Sequence, residues 1–498
     1  MDNLLSVLIF MPAVAALIMW VFLEGDDRAA RQNARWLGLI ATGVTLFAAL
    51  FLYVGFDPAG TGPQFVEERS RSSRVTFYRV GVDGISIGPI LLTALMMPVI
   101  VAAAWTEEHR TKHLMIALLL AETFLLGAFA AQDLALFYVF FEASIVPVLL
   151  LVGIWGGEGG RLAATRLFVS VLVGAVLLLP GLIILARLAG TTELASLPGA
   201  ELASPLTLAG ADIPGGAATL LWVALFLAFA IRMALWPFHM WLPRAVAGLP
   251  PAAMALVLAL TLKLGAYGVA RLLLPVFPEA TALFAPFVLL LGGIGIAVAG
   301  FVALRQETLA GLFAYASVAH MGLVVTALFS ASRQGIDGGL LALFAHGLAI
   351  GGAVLAAGAV ANRVNGRRLD AFGGLLVRMP AFALVFGIFV LGLLAMPGSA
   401  GFVGLLLGLI GIFEASLPVA ALVLLGLLPL TAALLLAFRQ IVLGDLIKES
   451  LKSISDLDRR ERAALTALVA LLVLFGIAPS ILLDLTGPAV EAMLGGTG

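Results

Sequence analysis

The side chains of this sequence that could do chemistry are single titratable groups set deep inside long apolar runs. Glu142 ends the segment Phe137-Tyr-Val-Phe-Phe-Glu142. Counted from Asp133, it lies about 12 Å along a helix, near the middle of a ~30 Å hydrocarbon layer. Ionisable groups at that depth are costly and mark ion or proton pathways. We place Glu142 on a candidate proton path; the alternative is a hydrogen-bonded carboxylate that only packs.

Lys263 is the only lysine inside an apolar run. The chain has four lysines against twenty-four arginines, and the other three lysines lie in connections. Lys263 follows Pro251 by about 18 Å of helix. Desolvation at that depth favours the neutral amine, so the side chain is suited to gain and lose a proton. The alternative is a lysine that extends to the membrane interface.

Four further polar residues lie at comparable depth: Arg232, His320, His346 and Glu122. A guanidinium stays protonated in proteins, so Arg232 can act as a fixed positive charge but not as a proton carrier. Imidazoles exchange protons near neutral pH, although a buried histidine is also compatible with a purely structural role. Glu122 either braces two helices or takes part in proton uptake.

Composition defines the protein class. Hydrophobic residues make up 62% of 498 and charged residues 11%, with mean hydropathy +1.14, whereas soluble domains carry about 25% charged residues. The sequence therefore predicts a polytopic protein of the lipid bilayer. A net charge of -1 does not favour nucleic acid as a partner. Because the chain has no cysteine, it has no disulfide or thiolate-bound metal, and we expect no cofactor in it.

Runs of spanning length predict an all-α fold of about fourteen transmembrane helices, each near the ~20 residues that a bilayer requires. The runs are Leu4–Leu23, Trp36–Phe56, Ile85–Trp105, Leu114–Ala131, Leu134–Trp155, Leu167–Ala186, Ala217–Leu235, Ala252–Leu274, Leu283–Leu304, Leu309–Phe329, Leu340–Val360, Ala381–Phe413, Val419–Phe438 and Ala463–Leu482. Arginine and lysine concentrate in the first, third, fifth, eleventh and thirteenth connections, and the even connections are nearly free of them except the second, which holds four arginines beside two glutamates. This predicts that the odd connections face the cytoplasm and that both termini face the periplasm.

The sequence also predicts the local structure of two connections and of one residue at a helix junction. The alternating segment from Arg74 to Val80, followed by Asp83-Gly84, predicts a short hairpin on the outer surface. The Gly-, Pro- and Ser-rich connection from Arg187 to Gly216 predicts a surface loop. Asp133, at a helix junction, is predicted to cap the helix that follows.

Two spans contain proline breaks, at Pro237 and at Pro397-Gly398. Proline removes a helical hydrogen bond, so both helices should be interrupted within the membrane. Paired broken helices are typical of inverted-repeat transporters. We predict a three-helix segment with the hairpin at 1–113, a first inverted five-helix repeat at 114–275, a second at 276–442, and a cytoplasmic connection with the last helix at 443–498.

The motifs resemble those of one membrane family. The matching segments are Phe137–Glu142, Ile154-Trp-Gly-Gly157, Pro237–Pro243, Leu262–Gly268, Ala314–Gly322, Phe344–Gly347, Arg378–Pro380 and Pro397–Gly404. The chain is similar to the antiporter-like M subunits of respiratory NADH:quinone oxidoreductase, complex I. The resemblance implies a bacterial inner-membrane subunit that translocates protons and contacts other membrane subunits, with quinone bound and reduced elsewhere in the complex. It also implies that His320 and His346 relay protons.

The sequence departs from that family where proton carriers are expected. The lysine that the family pairs with the glutamate of the Phe-Phe-Glu motif is Arg232 here, so the resemblance implies that Arg232 is a counter-charge to Glu142. Leu405 replaces a glutamate that serves proton exit. The family's basic pair is Ala310 and Gly311 here, and an acid is Arg244. These changes keep two other functions open. One is a subunit of a multisubunit cation/proton antiporter, and the other is a structural paralogue that does not pump.

Overall fold

The computed structural model is built almost entirely from helices, as expected where no water competes for backbone hydrogen bonds. It describes residues 3–25, 27–60, 62–72, 75–198, 207–208, 211–212, 216–364 and 366–495. The helices are α1 (Leu4–Phe22), α2 (Arg28–Gly55), α3 (Ile87–Ala103), α4 (Thr111–Ala130), α5 (Leu134–Ala143), α6 (Ile145–Trp155), α7 (Gly160–Ala189), α8 (Gly216–Arg232), α9 (Trp241–Val246), α10 (Pro251–Ala255), α11 (Lys263–Gly268), α12 (Leu274–Val276), α13 (Pro278–Ala303), α14 (Leu309–Leu328), α15 (Arg333–Val364), α16 (Pro380–Leu393), α17 (Ala400–Ala415), α18 (Leu417–Phe438), α19 (Glu449–Lys452), α20 (Arg459–Ile477) and α21 (Ser480–Gly495). The strands are β1 (Gln64–Ser72), β2 (Val75–Val82), β3 (Thr207–Leu208) and β4 (Ala211–Asp212).

The multi-pass character is confirmed, while the count of fourteen is not. Within the described residues, eleven helices are long and apolar enough to cross a bilayer, or twelve if α20 and α21, bent by 61°, form one span. The difference comes from α8, α16 and α17, which are apolar but shorter. These helices belong to the two interrupted spans, and each is too short to be counted as a span by itself.

Both predicted helix breaks are confirmed. Helix α8 ends at Arg232, and α9 begins nine residues later at Trp241, on the far side of Pro237. Helix α16 ends at Leu393 and α17 begins at Ala400. Gly398, in the second break, has a φ of +89°, a conformation that glycine adopts without steric cost.

The predicted hairpin is confirmed as β1 paired antiparallel with β2. Its inward-facing Val80 and Val82 are fully buried, and β2 leads directly into Asp83. Asp83 accepts hydrogen bonds from the Ile85 and Ser86 amides and forms an ion pair with Arg271. Arg271 also donates to Gln132 (2.8 Å), so the hairpin is fastened to two spans.

Asp133 caps α5, as predicted, by accepting from the Ala135 and Leu136 amides. In the predicted surface loop between Arg187 and Gly216, α7 continues to Ala189, a 3-10 turn covers Leu194–Ser196 and a small hairpin is formed by β3 and β4. The loop prediction for residues 199–206, 209–210 and 213–215 lies outside the described residues. Arg74 of the predicted hairpin segment does so as well.

The span Pro251–Val276 forms the centre of the protein and is buried over nearly all of its length. It is not a regular α-helix: π-helical segments Leu256–Thr261 and Val269–Leu273 flank α11. π-turns inside helices commonly lie at functional sites. Here they flank the segment that begins with Lys263.

The spans define two ends of the molecule. The hairpin end carries β1 and β2 together with the start of α15 and helix α21; the arginine-rich end carries the connections around Arg110, Arg363 and Arg460. Which end faces the periplasm, and the boundaries of the two predicted repeats, stay predictions.

Candidate functional site

Arg232 lies at the break after α8 and contacts the junction of α5 and α6. It is buried, donates to the Phe141 carbonyl (3.0 Å) and binds the Ser144 hydroxyl. Its guanidinium also lies 5.1 Å from the centre of the Phe141 ring. These contacts bracket Glu142, whose charge interacts with that of Arg232.

Arg232 and Glu142 were predicted to be counter-charges, but the structure shows no direct ion pair between these two described residues. Among the described residues, no atom pair of the two side chains comes within the 4.0 Å of an ion pair, and Ser144 takes the guanidinium instead. Glu142 is half-buried on a helix whose neighbouring Val139 and Val146 are exposed. Glu142 therefore lies at the side of the protein, with Arg232 on its inner flank.

Lys263 lies at the middle of the molecule and contacts the second half of the chain. Its side chain is 1% exposed, and its Nζ lies 2.5 Å from His346 Nδ1 on α15. The other polar neighbour is the Leu258 carbonyl at 3.4 Å, offered by the π-turn below. Among the described residues these contacts involve no carboxylate. The Lys263 amine is therefore held by a ring nitrogen and a backbone carbonyl rather than by an opposite charge.

His320, on α14, continues the row beyond His346. The centres of the two imidazole rings are 4.9 Å apart. Both nitrogens of His320 face backbone carbonyls, Ala316 at 2.7 Å and Leu393 at 3.0 Å. Leu393 is the last residue of α16, so this histidine contacts the second broken helix.

The two histidines open into a cavity of about 210 Å³ beside that break. Leu405 of α17 and Thr431 of α18 also line it, and no lining residue is acidic. The position of Leu405 is thus where a carboxylate would follow the histidines in a proton path. The cavity is large enough for several waters, although its walls are mostly leucine.

Glu122 lies on α4, apart from the residues above in the contacts that the structure records. It is 0% exposed, and neither carboxylate oxygen has a hydrogen-bond partner within the described part of the chain. A brace between helices needs a partner for its oxygens. The structure therefore gives no support to bracing, and the role in proton uptake stays a prediction.

The structure thus brings together three of the predicted residues, Lys263, His346 and His320, and places Arg232 against the helix that carries Glu142. Sequence reasoning missed Ser144 and Thr431. A hydroxyl two residues after Glu142 was the available signal for Ser144, whereas Thr431 has no such signal. Over the residues searched, no three His, Asp or Glu side chains are arranged to hold a metal. His109 and His113 are exposed and lie outside this row.

Known proteins share this arrangement of spans and breaks. The family described as NADH:quinone oxidoreductase/Mrp antiporter, TM, matches residues 131–431. The NADH-quinone oxidoreductase subunit M of Rhodobacter capsulatus is 42% identical over 99% of this chain and 97% of its own length. The NADH-ubiquinone oxidoreductase chain 4 of Marchantia polymorpha is 32% identical over 98% and 97%.

Solved structures agree with the sequence relatives. A chain of respiratory complex I from Thermus thermophilus with bound NADH superposes with a TM-score of 0.87 at 30% identity, covering 99% of this chain and 100% of that one. A chain of the Mrp complex from Dietzia sp. DQ12-45-1b reaches 0.83 at 21% identity over 99% and 100%, which shows the shared fold. The chain therefore belongs to the NADH:quinone oxidoreductase/Mrp antiporter family, as an antiporter-like M subunit of NADH-quinone oxidoreductase.

Proposed function

We propose that this chain translocates protons within the membrane arm of an NADH:quinone oxidoreductase, driven by quinone reduction in other subunits. The observation that supports this most directly is the contact between Lys263 and His346 at 2.5 Å, continued to His320. A lysine and two imidazoles in a row form a chain of groups that each bind and release a proton. The chain's own part is proton transfer, and we propose that it holds no redox cofactor.

Each half of the molecule supplies part of this path. Glu142 and Arg232 lie in the first half and set the local charge, because the guanidinium cannot carry the proton itself. Lys263 and His346 exchange a proton, and His320 extends this row to the second broken helix. Glu122 is proposed as an uptake site, since its buried carboxylate has no other partner among the described residues.

We propose that the protein is inserted in the bacterial inner membrane with both termini in the periplasm. The arginine-rich end then faces the cytoplasm, following the distribution of positive charge. The partners are the other membrane subunits of the complex. Apolar side chains exposed on α5 and α6, such as Val139, Val146 and Leu150, suit contact with lipid or with such a subunit.

The test is a Lys263→Met variant in the assembled complex. Methionine keeps most of the volume and removes the titratable group. In inverted membrane vesicles, we expect the number of protons transferred per electron to fall by the full contribution of this subunit. Lys452→Met, at an exposed lysine on α19, serves as the matched control and should keep the wild-type ratio. An unchanged ratio in Lys263→Met with intact assembly contradicts the proposal.

A second candidate function is a structural subunit that does not pump. The cavity beside His320 and Leu405 supports it, because no acid lines the place where the family has its exit carboxylate. Under this candidate both Lys263→Met and Leu405→Glu leave proton transfer unchanged. The third candidate, a subunit of a cation/proton antiporter, rests on the shared fold alone. Identification of the subunits that co-purify with the chain separates it from the first.

A further inference from the structure

A second cavity touches Lys263 on the side that faces the hairpin end. It has a volume of about 30 Å³, enough for one or two water molecules. Its walls come from the start of α3, from α15 and from α21, with Lys263 at the inner end and Thr486 at the outer end. It is separate from the cavity that contains Leu405, since the two share no lining residue.

An acidic residue lies just beyond this cavity. Asp337 is four residues after the start of α15, one helical turn from the lining residues Leu340 and Leu341 and on the same face. The Thr486 hydroxyl lies beside its carboxylate. Asp337 is 9% exposed, and its Oδ1 is buried with no hydrogen-bond partner among the described residues. A buried carboxylate oxygen without a donor is a free site for a proton or a water.

We propose that protons leave Lys263 towards the hairpin end through this cavity, and that Asp337 is the carboxylate that receives and releases them. The inference rests on the proposed proton-translocating function. It provides an acid on the hairpin side of Lys263, whereas the lining of the Leu405 cavity contains none. Asp337 would then be the exit position of this chain, on α15 rather than on the broken span, where Leu405 binds no proton.

The step conserves charge and protons. The Lys263 ammonium gives one proton to water in the cavity and becomes a neutral amine. That proton passes by way of the water and the Thr486 hydroxyl to the Asp337 carboxylate, which becomes a carboxylic acid. The acid then releases the proton to water at the hairpin end, and Lys263 is recharged from its other side.

The charges around Asp337 suit this exchange. Arg333 Nε lies 3.6 Å from Asp337 Oδ2, and the same arginine pairs with Glu491 of α21. Arg333 is about half exposed, so it can attract the carboxylate and still turn to Glu491 when Asp337 is protonated. On the neighbouring elements, Arg271 is already neutralised by Asp83.

The experiment compares Asp337→Asn, Asp337→Glu and Lys263→Met in inverted vesicles that contain the intact complex. We expect Asp337→Asn to lower the proton-to-electron ratio by the same amount as Lys263→Met, and Asp337→Glu to keep it. Asp484→Asn, at an exposed acid on α21, is the matched control and should behave as wild type.

Arg333→Gln separates proton transfer from structure. It removes the ion pair with Asp337 but keeps the carboxylate, so we expect most of the wild-type ratio to survive. A loss in Arg333→Gln equal to that in Asp337→Asn shows that the ion pair alone matters and overturns the proposal. Normal pumping in Asp337→Asn while Lys263→Met abolishes it also overturns the proposal and leaves the function intact. If neither variant has an effect, the function itself fails.

A second pair of variants avoids the charges altogether. Gly88 lines the cavity, and a Cβ added there meets no atom within 4 Å. Gly88→Leu should displace the water and lower the ratio as Asp337→Asn does, whereas Gly88→Ala should leave it near wild type. Equal ratios in the two Gly88 variants show that protons do not use the cavity, even where Asp337→Asn fails to assemble.

Discussion

At the scale of single residues, charge placement in the first half depends on Ser144 as much as on Glu142. Arg232 reaches the α5–α6 junction and binds the Phe141 carbonyl and the Ser144 hydroxyl, so its position is set by neutral oxygens. Its Nε and Nη1 atoms are buried without partners among the described residues. Those two groups remain available to a carboxylate that rotates towards them.

This arrangement predicts different effects for the two members of the pair. Glu142→Gln removes the carboxylate whose charge interacts with that of the buried Arg232 guanidinium. We expect coupled activity to fall by about tenfold, which corresponds to ~1.4 kcal/mol in the barrier. Arg232→Lys keeps the charge and should be tolerated. Proton uptake measured with quinone-dependent NADH oxidation checks both; wild-type rates in Glu142→Gln would falsify the assignment.

The sequence predicted these residues because a charge inside an apolar run is visible without coordinates. Depth along a helix follows from counting residues, and that count placed Lys263 correctly at the buried centre. The direction in which a side chain points does not follow from that count. The contacts of Lys263 with His346 and of Arg232 with Ser144 depend on how the π-turns and the helix break rotate their spans, which no local pattern specifies.

At the scale of elements, an ion pair between Asp83 and Arg271 fastens the end of the hairpin to the central span. Burial alone would raise the pKa of Asp83, but the charge of Arg271 and hydrogen bonds from Arg271 and Ser86 outweigh it. The pKa of this carboxyl is therefore lower than its ordinary value. A group with a lowered pKa in the folded protein stabilises the fold above its unfolded pKa, and that contribution disappears as the pH falls through the folded pKa.

We therefore predict a pH-dependent effect of Asp83→Asn. The variant leaves Arg271 without its partner and should lose on the order of 3 kcal/mol of stability near neutral pH. The difference from wild type should stay constant down to about pH 4, the unfolded pKa of aspartate, and shrink below it. Thermal unfolding of the purified protein in detergent, as a function of pH, measures this. The exposed Glu24→Gln is the control, and a difference that grows on acidification contradicts the assignment.

Elements were easier to predict from the sequence than their lengths. Alternation in residues 74–80 was enough for the hairpin, and Pro237 and Pro397 were enough for the breaks. The π-segments at 256–261 and 269–273 were not predicted, because a π-turn depends on tertiary packing rather than on residue type. The number of spans differs for another reason: a broken span is one long apolar run in the sequence but two short helices in the structure.

At the scale of the whole molecule, the polar residues cross from one half of the chain to the other. Lys263 belongs to the last span of the predicted first repeat, whereas His346 and His320 belong to the second. The contact at 2.5 Å is thus also a contact between the halves. Next to the two histidines, the cavity lined by Leu405 extends towards the second helix break. Leu405 itself cannot bind a proton.

Leu405→Glu tests whether that cavity can conduct. The new carboxylate would face the cavity beside the second helix break, where water and loosened backbone lower its desolvation cost. We expect proton transfer per electron in inverted vesicles to rise, and Lys263→Met in the same chain to abolish the gain. Leu405→Gln is the control, because glutamine has the shape and polarity of glutamate but no titratable group. An equal rise with glutamine shows that hydration alone, not the acid, was limiting.

His320 faces one carbonyl of its own helix and one at the end of α16. A neutral imidazole has one N–H and can satisfy only one of them, whereas the imidazolium satisfies both. Under the proposed proton path, protonation of His320 would therefore strengthen the link between α14 and the broken span, and deprotonation would weaken it. The rigidity of the break at residues 394–399 would then follow the charge of a single imidazole ring.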